Sequence, residues 1–87
     1  MNLLFTPEGW EDYLYWQEQD RKMLKKINRL LKELSRTPFE GSGKPEPLKY
    51  ELQGCWSRRI DREHRLVYEV FEDRIHILAC RYHYEGQ

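Results

Sequence analysis

The residues best suited to chemistry lie in two short runs, Arg81-Tyr82-His83-Tyr84 near the end of the chain and Gly43-Lys44-Pro45-Glu46-Pro47-Leu48 in its middle. A histidine has an ordinary pKa of about 6.5, so His83 is able both to give and to take a proton near neutrality. Glu46 stands between two prolines, and a residue ahead of proline is driven to extended geometry, which fixes where its carboxylate points. A general base needs that fixed aim. Arg59 and Arg65 fall on strands between the two runs, in a hairpin whose turn carries Arg62, and Lys49 follows the Glu46 loop. Tyr84 offers a ring on which a nucleic-acid base would stack, a contact worth roughly 1–3 kcal/mol. One acid, one base and several fixed cations, without metal-ligand spacing, suit metal-free cleavage of a phosphodiester. Taken singly, each residue reads better as an idle surface or structural group, and for the combination spacing alone leaves both readings open.

The elements that must position these residues follow from pattern. Asn2-Leu3-Leu4-Phe5-Thr6 reads as a short strand. Thr6-Pro7-Glu8 has the form of an N-cap, a proline at the first helical position and an acid in the first turn. In the helix so begun, Trp10, Tyr13, Leu14 and Gln17 share a face, widened by Tyr15 and Trp16. Asp20 caps a second helix running to about Ser35, with Met23, Ile27, Leu30, Leu31 and Leu34 as its apolar stripe. So little chain between them predicts an antiparallel helical hairpin. Residues 37–48 read as a loop stiffened by Pro38, Pro45 and Pro47 and loosened at Gly41 and Gly43. Strands are predicted near 54–60, 64–71 and 75–82, joined by turns short enough to require an antiparallel meander. On the middle one, Leu66, Tyr68 and Val70 should face the helices, and Arg65, Val67, Glu69 and Phe71 the other side. The order is β-α-α-β-β-β, an α+β fold with a helical hairpin packed on a twisted antiparallel sheet, in one domain over residues 1–87.

Eighty-seven residues bury only about 60–65% of their unfolded surface, so the core is small. The formal charge is zero but unevenly spread. Residues 1–20 carry five carboxylates and no Lys or Arg, whereas residues 21–36 carry seven basic residues against Glu33. A neutral chain holds free RNA weakly, because nonspecific affinity comes from phosphate neutralisation, and this argues against a promiscuous nuclease. The basic face of the second helix reads as a solvated surface or as a dock for ribosomal RNA or an acidic partner. Cys55 and Cys80, with no CxxC and no membrane-spanning or signal-peptide pattern, suggest reduced thiols in a cytoplasmic protein.

The chain resembles the YoeB (Txe/YoeB) toxins of bacterial type II toxin–antitoxin systems, within the RelE-like superfamily. The resemblance runs through Trp10-Glu11-Asp12-Tyr13-Leu14-Tyr15-Trp16-Gln17, Arg36-Thr37-Pro38-Phe39-Glu40-Gly41 and the Gly43–Lys49 run. It continues through Trp56-Ser57-Arg58-Arg59-Ile60 and Glu63-His64-Arg65-Leu66-Val67-Tyr68 to Ala79-Cys80-Arg81-Tyr82-His83-Tyr84. It implies a RelE-like fold and a ribosome-dependent endoribonuclease that cuts mRNA in the A site, leaving a 2′,3′-cyclic phosphate and a 5′-hydroxyl. Glu46 then matches the general base, His83 the general acid and Arg65 the stabiliser of the transition state. Tyr84 matches a substrate-orienting residue, and Lys49 and Arg59 supporting RNA contacts. No cofactor is implied. The implied partners are a YefM-like antitoxin, operator DNA reached only through that antitoxin, the ribosome with its message, and a second copy in a homodimer.

Two positions depart from the family pattern: Tyr50 stands where a histidine is familiar, and Glu85-Gly86-Gln87 follows the terminal tyrosine. A non-catalytic inhibitor on the same fold, like the ParE gyrase poisons, or a protein that blocks translation by occupancy, would need no Glu/Arg/His set. The tail is expected to leave activity intact. Single-turnover cleavage by a chain ended after Tyr84 checks this, and a gain above about tenfold, about 1.4 kcal/mol of barrier, would show the tail to be inhibitory.

Overall fold

A computed structural model describes residues 1–82. In chain order it holds β1 (Asn2–Phe5), α1 (Pro7–Gln19), α2 (Arg21–Leu34), β2 (Glu46–Pro47), a 3-10 turn (Tyr50–Leu52), β3 (Cys55–Arg59), β4 (Arg65–Val70) and β5 (Arg74–Ala79). Thr6 caps α1, its Oγ1 accepting from the Gly9 amide at 3.1 Å. Asp20 both ends α1 and begins α2. Its amide donates to Trp16 O at 3.1 Å, and its Oδ1 accepts from the amides of Lys22 (3.0 Å) and Met23 (3.2 Å). One residue therefore turns the chain between two helices, and losing such a cap costs about 1 kcal/mol.

The five strands form one sheet in the order β1-β5-β4-β3-β2. It is mixed rather than wholly antiparallel, because β1 runs parallel to β5, with Asn2 opposite Arg74 and Phe5 opposite Ile77. Residues 2–6 read as a strand, and nothing local to them carries its direction. Direction is set by α1, which starts after Thr6 alone and must fold back over β5. Gly9 makes that close seat possible, since a Cβ there would strike the Ile77 carbonyl. The buried face of α1 is accordingly turned from the one the apolar residues suggested. Trp16 is buried at 6% exposure, whereas Trp10 remains 45% exposed.

The helix stripe Met23, Ile27, Leu30, Leu31 and Leu34 is buried as its spacing requires, against Leu66, Tyr68, Ile75 and Ile77 of the sheet and against Ile60 and Cys80 just past the ends of β3 and β5. A second, smaller cluster of Leu48, Cys55, Val67 and Ala79 lies on the sheet's other face. A slip in register between β4 and β5 divides the two: Val67 opposes Ala79, but Tyr68 opposes Ile77, leaving Leu78 as an extra residue. A bulge of this kind reverses side-chain parity. Ile75 and Ile77 point to the helices, then Ala79 points away and Cys80 returns to the helix side.

The largest fully buried side chain is Arg58. Its guanidinium meets Glu33 Oε1 at 2.7 Å, the carbonyls of Thr37, Glu40 (2.9 Å) and Ser42 (3.2 Å), and the Tyr68 hydroxyl at 3.2 Å. Tyr68 in turn donates to Pro38 O at 2.6 Å. One cation thus supplies donors to a loop that has few backbone partners of its own. The Ser42 amide, above all, and the Arg58 charge hold the Glu33 carboxyl below its ordinary value.

Replacing Arg58 by Leu strands these acceptors and should cost about 3 kcal/mol in denaturant unfolding. A carboxyl with a lowered folded pKa contributes stability at high pH and loses it as pH falls. The stability gap between wild type and Glu33→Gln should therefore be full above the ordinary value of 4.5 and close as pH drops below it. The thiols give a third check. Burial, then the Asp12 charge, pushes Cys80 up to about 12, and burial raises Cys55 as well. Thiolate is the reactive form, so neither cysteine should be alkylated by iodoacetamide at pH 8 until the chain is unfolded, as mass spectrometry would read.

Candidate active site

The Glu46 loop is not loop throughout. Glu46 and Pro47 make a short edge strand, Glu46 opposite Ser57 and Pro47 opposite Trp56. Two residues, one a proline without an N–H, leave no alternation to read, and an edge is where a sheet tolerates proline. Ties lie on both sides of the strand: the Arg59 amide donates to Gly43 O at 2.7 Å, and the Leu48 amide to Cys55 O at 2.9 Å. Gly43 has φ 83°, and a Cβ on it would sit 2.9 Å from Arg59 O, so glycine is needed where the loop crosses β3.

Register then does the positioning. Ser57 lies between Glu46 and Val67 across three strands, and Arg59 lies opposite Arg65. Alternation puts Ser57, Arg59, Arg65 and Val67 on the side of the sheet without helices. There the Arg65 guanidinium meets Glu46 Oε1 at 3.1 Å and donates to the buried Ser57 Oγ at 2.8 Å. The Glu46 side chain is 55% exposed and that of Arg65 24%. An ion pair this open to water is worth about 0.2–1 kcal/mol, so an arriving anion readily takes the place of the carboxylate. Lys49 is exposed and leads into the 3-10 turn, where Tyr50 is 78% exposed at φ 58°.

The segment after β5 reaches this region under several restraints. The Trp16 indole donates to Cys80 O at 2.8 Å, and Asp12 Oδ2 accepts from the Cys80 amide at 3.0 Å. Burial raises the Asp12 pKa, against the pull of that amide and of Arg81. Tyr82 has φ 60°, a left-handed geometry that costs a residue with a side chain about 1–3 kcal/mol. It is held there from both sides: its amide donates to His64 Nδ1 at 2.6 Å, and its carbonyl accepts from the Arg65 amide at 2.9 Å. His83, Tyr84 and the tail 85–87 lie outside the described residues.

Glu46 and Arg65 are thus brought together, with Arg59 beside Arg65 in register. Sequence reasoning missed Ser57, Arg58 and His64. For Arg58 a signal existed, since it shares strand parity with Trp56 and Ile60 and so had to face the core. His64 carried none, because its partner is a backbone amide 18 residues away. A cleft of about 440 Å³ lies on another flank, lined by Pro7, Glu8, Glu11, Asp12, Ala79, Arg81 and Tyr82. Its three carboxylates against one guanidinium make it a poor seat for phosphate. Among the described residues no group of three or more His, Cys, Asp or Glu is arranged to hold a metal ion, and no helix is long and apolar enough to cross a membrane.

Comparison with known proteins gives the family and agrees with the fold. Toxin YoeB of Escherichia coli K12 is 63% identical over 84 residues, 97% of this chain and all of that protein. The solved YoeB/ParE toxin from Agrobacterium tumefaciens superposes with TM-score 0.93 at 50% identity, covering 97% of this chain and 100% of that one. Two Staphylococcus aureus structures, a YoeB dimer and a YoeB–YefM complex, match at TM-scores 0.89 and 0.88 with 54% and 53% identity, over 97% of this chain and 98% of theirs. The family model for the YoeB-like toxin of bacterial type II toxin–antitoxin systems matches residues 5–84, and the chain belongs to that family.

Proposed function

We propose that this toxin is a ribosome-dependent endoribonuclease that cuts messenger RNA in the decoding site. The observation that carries the reading is the Arg65 guanidinium, shared between Glu46 and Ser57 on the helix-free face, on a strand whose first amide also holds Tyr82. His83 is the next residue in the chain.

In the reaction Glu46 takes the proton of a ribose 2′-hydroxyl, and the 2′-oxygen forms a bond to the adjacent phosphorus. The bond from phosphorus to the 5′-oxygen breaks, and His83 protonates that leaving oxygen. The products are a 2′,3′-cyclic phosphate and a 5′-hydroxyl. Extra negative charge gathers on the phosphorane, where Arg65, already oriented by Ser57, needs little rearrangement to stabilise it. Lys49 and Arg59 hold flanking phosphates, and Tyr84 orients the substrate beside His83. The ribosome supplies proximity by holding the message in a reactive bend. This division of labour fits a chain of zero net charge.

The partner that restrains such a toxin is a YefM-like antitoxin, a reading supported by the S. aureus complex, and the dimer from the same organism supports self-association. Operator DNA would be reached only through the antitoxin.

Primer extension on a defined message, bare or held on ribosomes with an empty A site, tests the reading. Wild type should give a discrete A-site cut only with ribosomes, and Glu46→Ala and His83→Ala should lower the rate at least about 100-fold, the scale of general acid–base catalysis. Ser57→Ala should cost about tenfold by loosening Arg65. A translation block without any cut, unchanged in the variants, would leave a toxin that acts by occupancy.

A further inference from the structure

The mechanism uses His83, yet the histidine most tightly built into the described structure is His64. It is buried at 8% exposure, with its ring edge-on to Trp16 (centroids 4.9 Å apart, 80°) and tilted against Tyr82 (5.4 Å). Its backbone is fixed as firmly. Asp61 Oδ1 accepts from the amides of Glu63 (2.8 Å) and His64 (2.7 Å), and the Ile60 amide donates to His64 O at 2.9 Å. These bonds hold the Asp61 carboxyl below its ordinary value in spite of desolvation.

What this much packing delivers is one acceptor atom. His64 Nδ1 receives the Tyr82 amide at 2.6 Å, which requires the neutral tautomer with its proton on Nε2, the nitrogen that faces Glu63 at 3.6 Å. The next residue, Arg65, donates its own amide to Tyr82 O. Consecutive residues, His64 just before β4 and Arg65 at its start, therefore hold both backbone polar groups of Tyr82 in a left-handed conformation that nothing in its side chain favours.

We infer that His64 is a positioning residue for the cleavage reaction: through Nδ1 it holds the amide of Tyr82, the residue that the proposed acid, His83, follows in the chain. The inference rests on the endoribonuclease reading. The Arg65 side chain stabilises the phosphorane, so a rigid link from residues 64 and 65 to Tyr82 sets the spacing between that cation and the origin of the acid. An error of about 1 Å in such spacing costs on the order of 100-fold in rate.

Asn and Leu are close in shape, but only Asn keeps an acceptor, Oδ1, where Nδ1 stood. His64→Leu should lower the single-turnover cleavage rate on ribosomes roughly 10- to 100-fold, the range for a displaced catalytic group. Ribosome affinity should stay unchanged, and hydrogen exchange at the Tyr82 amide should speed up. His64→Asn should retain the slow exchange and stay within about fivefold of the wild-type rate, less than the tenfold that 1.4 kcal/mol represents. Equal rates for His64→Leu and wild type overturn the inference. Equal losses in both variants, with matched thermal melts, overturn it as well, since ring packing alone would then be at work. A wild type that leaves the message whole overturns the endoribonuclease reading itself, an outcome distinct from a cutting wild type with an indifferent His64. Should His64→Leu not fold, His64→Gln, which moves its polar end to the Nε2 position, replaces it with the same expectation.

Discussion

The buried guanidinium of Arg58 is the contact on which the working face depends. Bringing a charge out of water is costly unless every donor finds a partner, and here each nitrogen does, on Glu33, Tyr68 and three carbonyls of the loop behind α2. The arrangement fastens the loop to the core from inside, which frees its far end to serve as an edge strand. Glu46 is the third residue past that fastened stretch and its Gly43 crossing, so the aim of a surface carboxylate is inherited from a cation buried on the opposite side of the sheet.

The same division recurs at the other end of the chain. Residues 80–82 take no part in the sheet, yet Trp16, Asp12, His64 and Arg65 all bond to their backbone. Three side chains and the Arg65 amide standing in for ladder partners allow a path that a regular strand would forbid, including the positive φ of Tyr82. For a small domain this is an economical way to make a site: regular elements carry the core, and side-chain-to-backbone bonds aim the irregular segments.

The architecture was legible in the sequence where a strong local signal and burial agreed. Thr6, Asp20 and the apolar stripe of α2 were readable because capping and periodicity act within a few residues. Glu46, Arg59 and Arg65 were singled out by type and by resemblance, and the sheet brings Glu46 to Arg65 and sets Arg59 opposite it. What was lost depended on distant partners. The seam of α1 runs through Gly9 and Trp16 because Gly9 admits the backbone of β5, and a missing side chain adds nothing to an apolar count. Straight alternation along 75–82 would have sent Ala79 to the core, and the extra residue at Leu78 inverted it. The direction of β1, the pairing of Glu46 with Ser57, and the task of His64 are likewise settled by neighbours far away in the chain.

The parallel pairing of β1 with β5 reaches into the time course of synthesis. The Thr6 hydroxyl donates to the Ile77 carbonyl, 71 positions later, and among the described residues the first strand pairs with β5 alone. Contacts this distant form slowly, because much of the chain must be ordered before they are rewarded. A ribosome making this protein releases the helical hairpin early, while β1 waits for its partner. The sheet closes only when β5 has left the tunnel, so a product broken off before that strand carries every residue up to the break and still lacks the order of the finished fold.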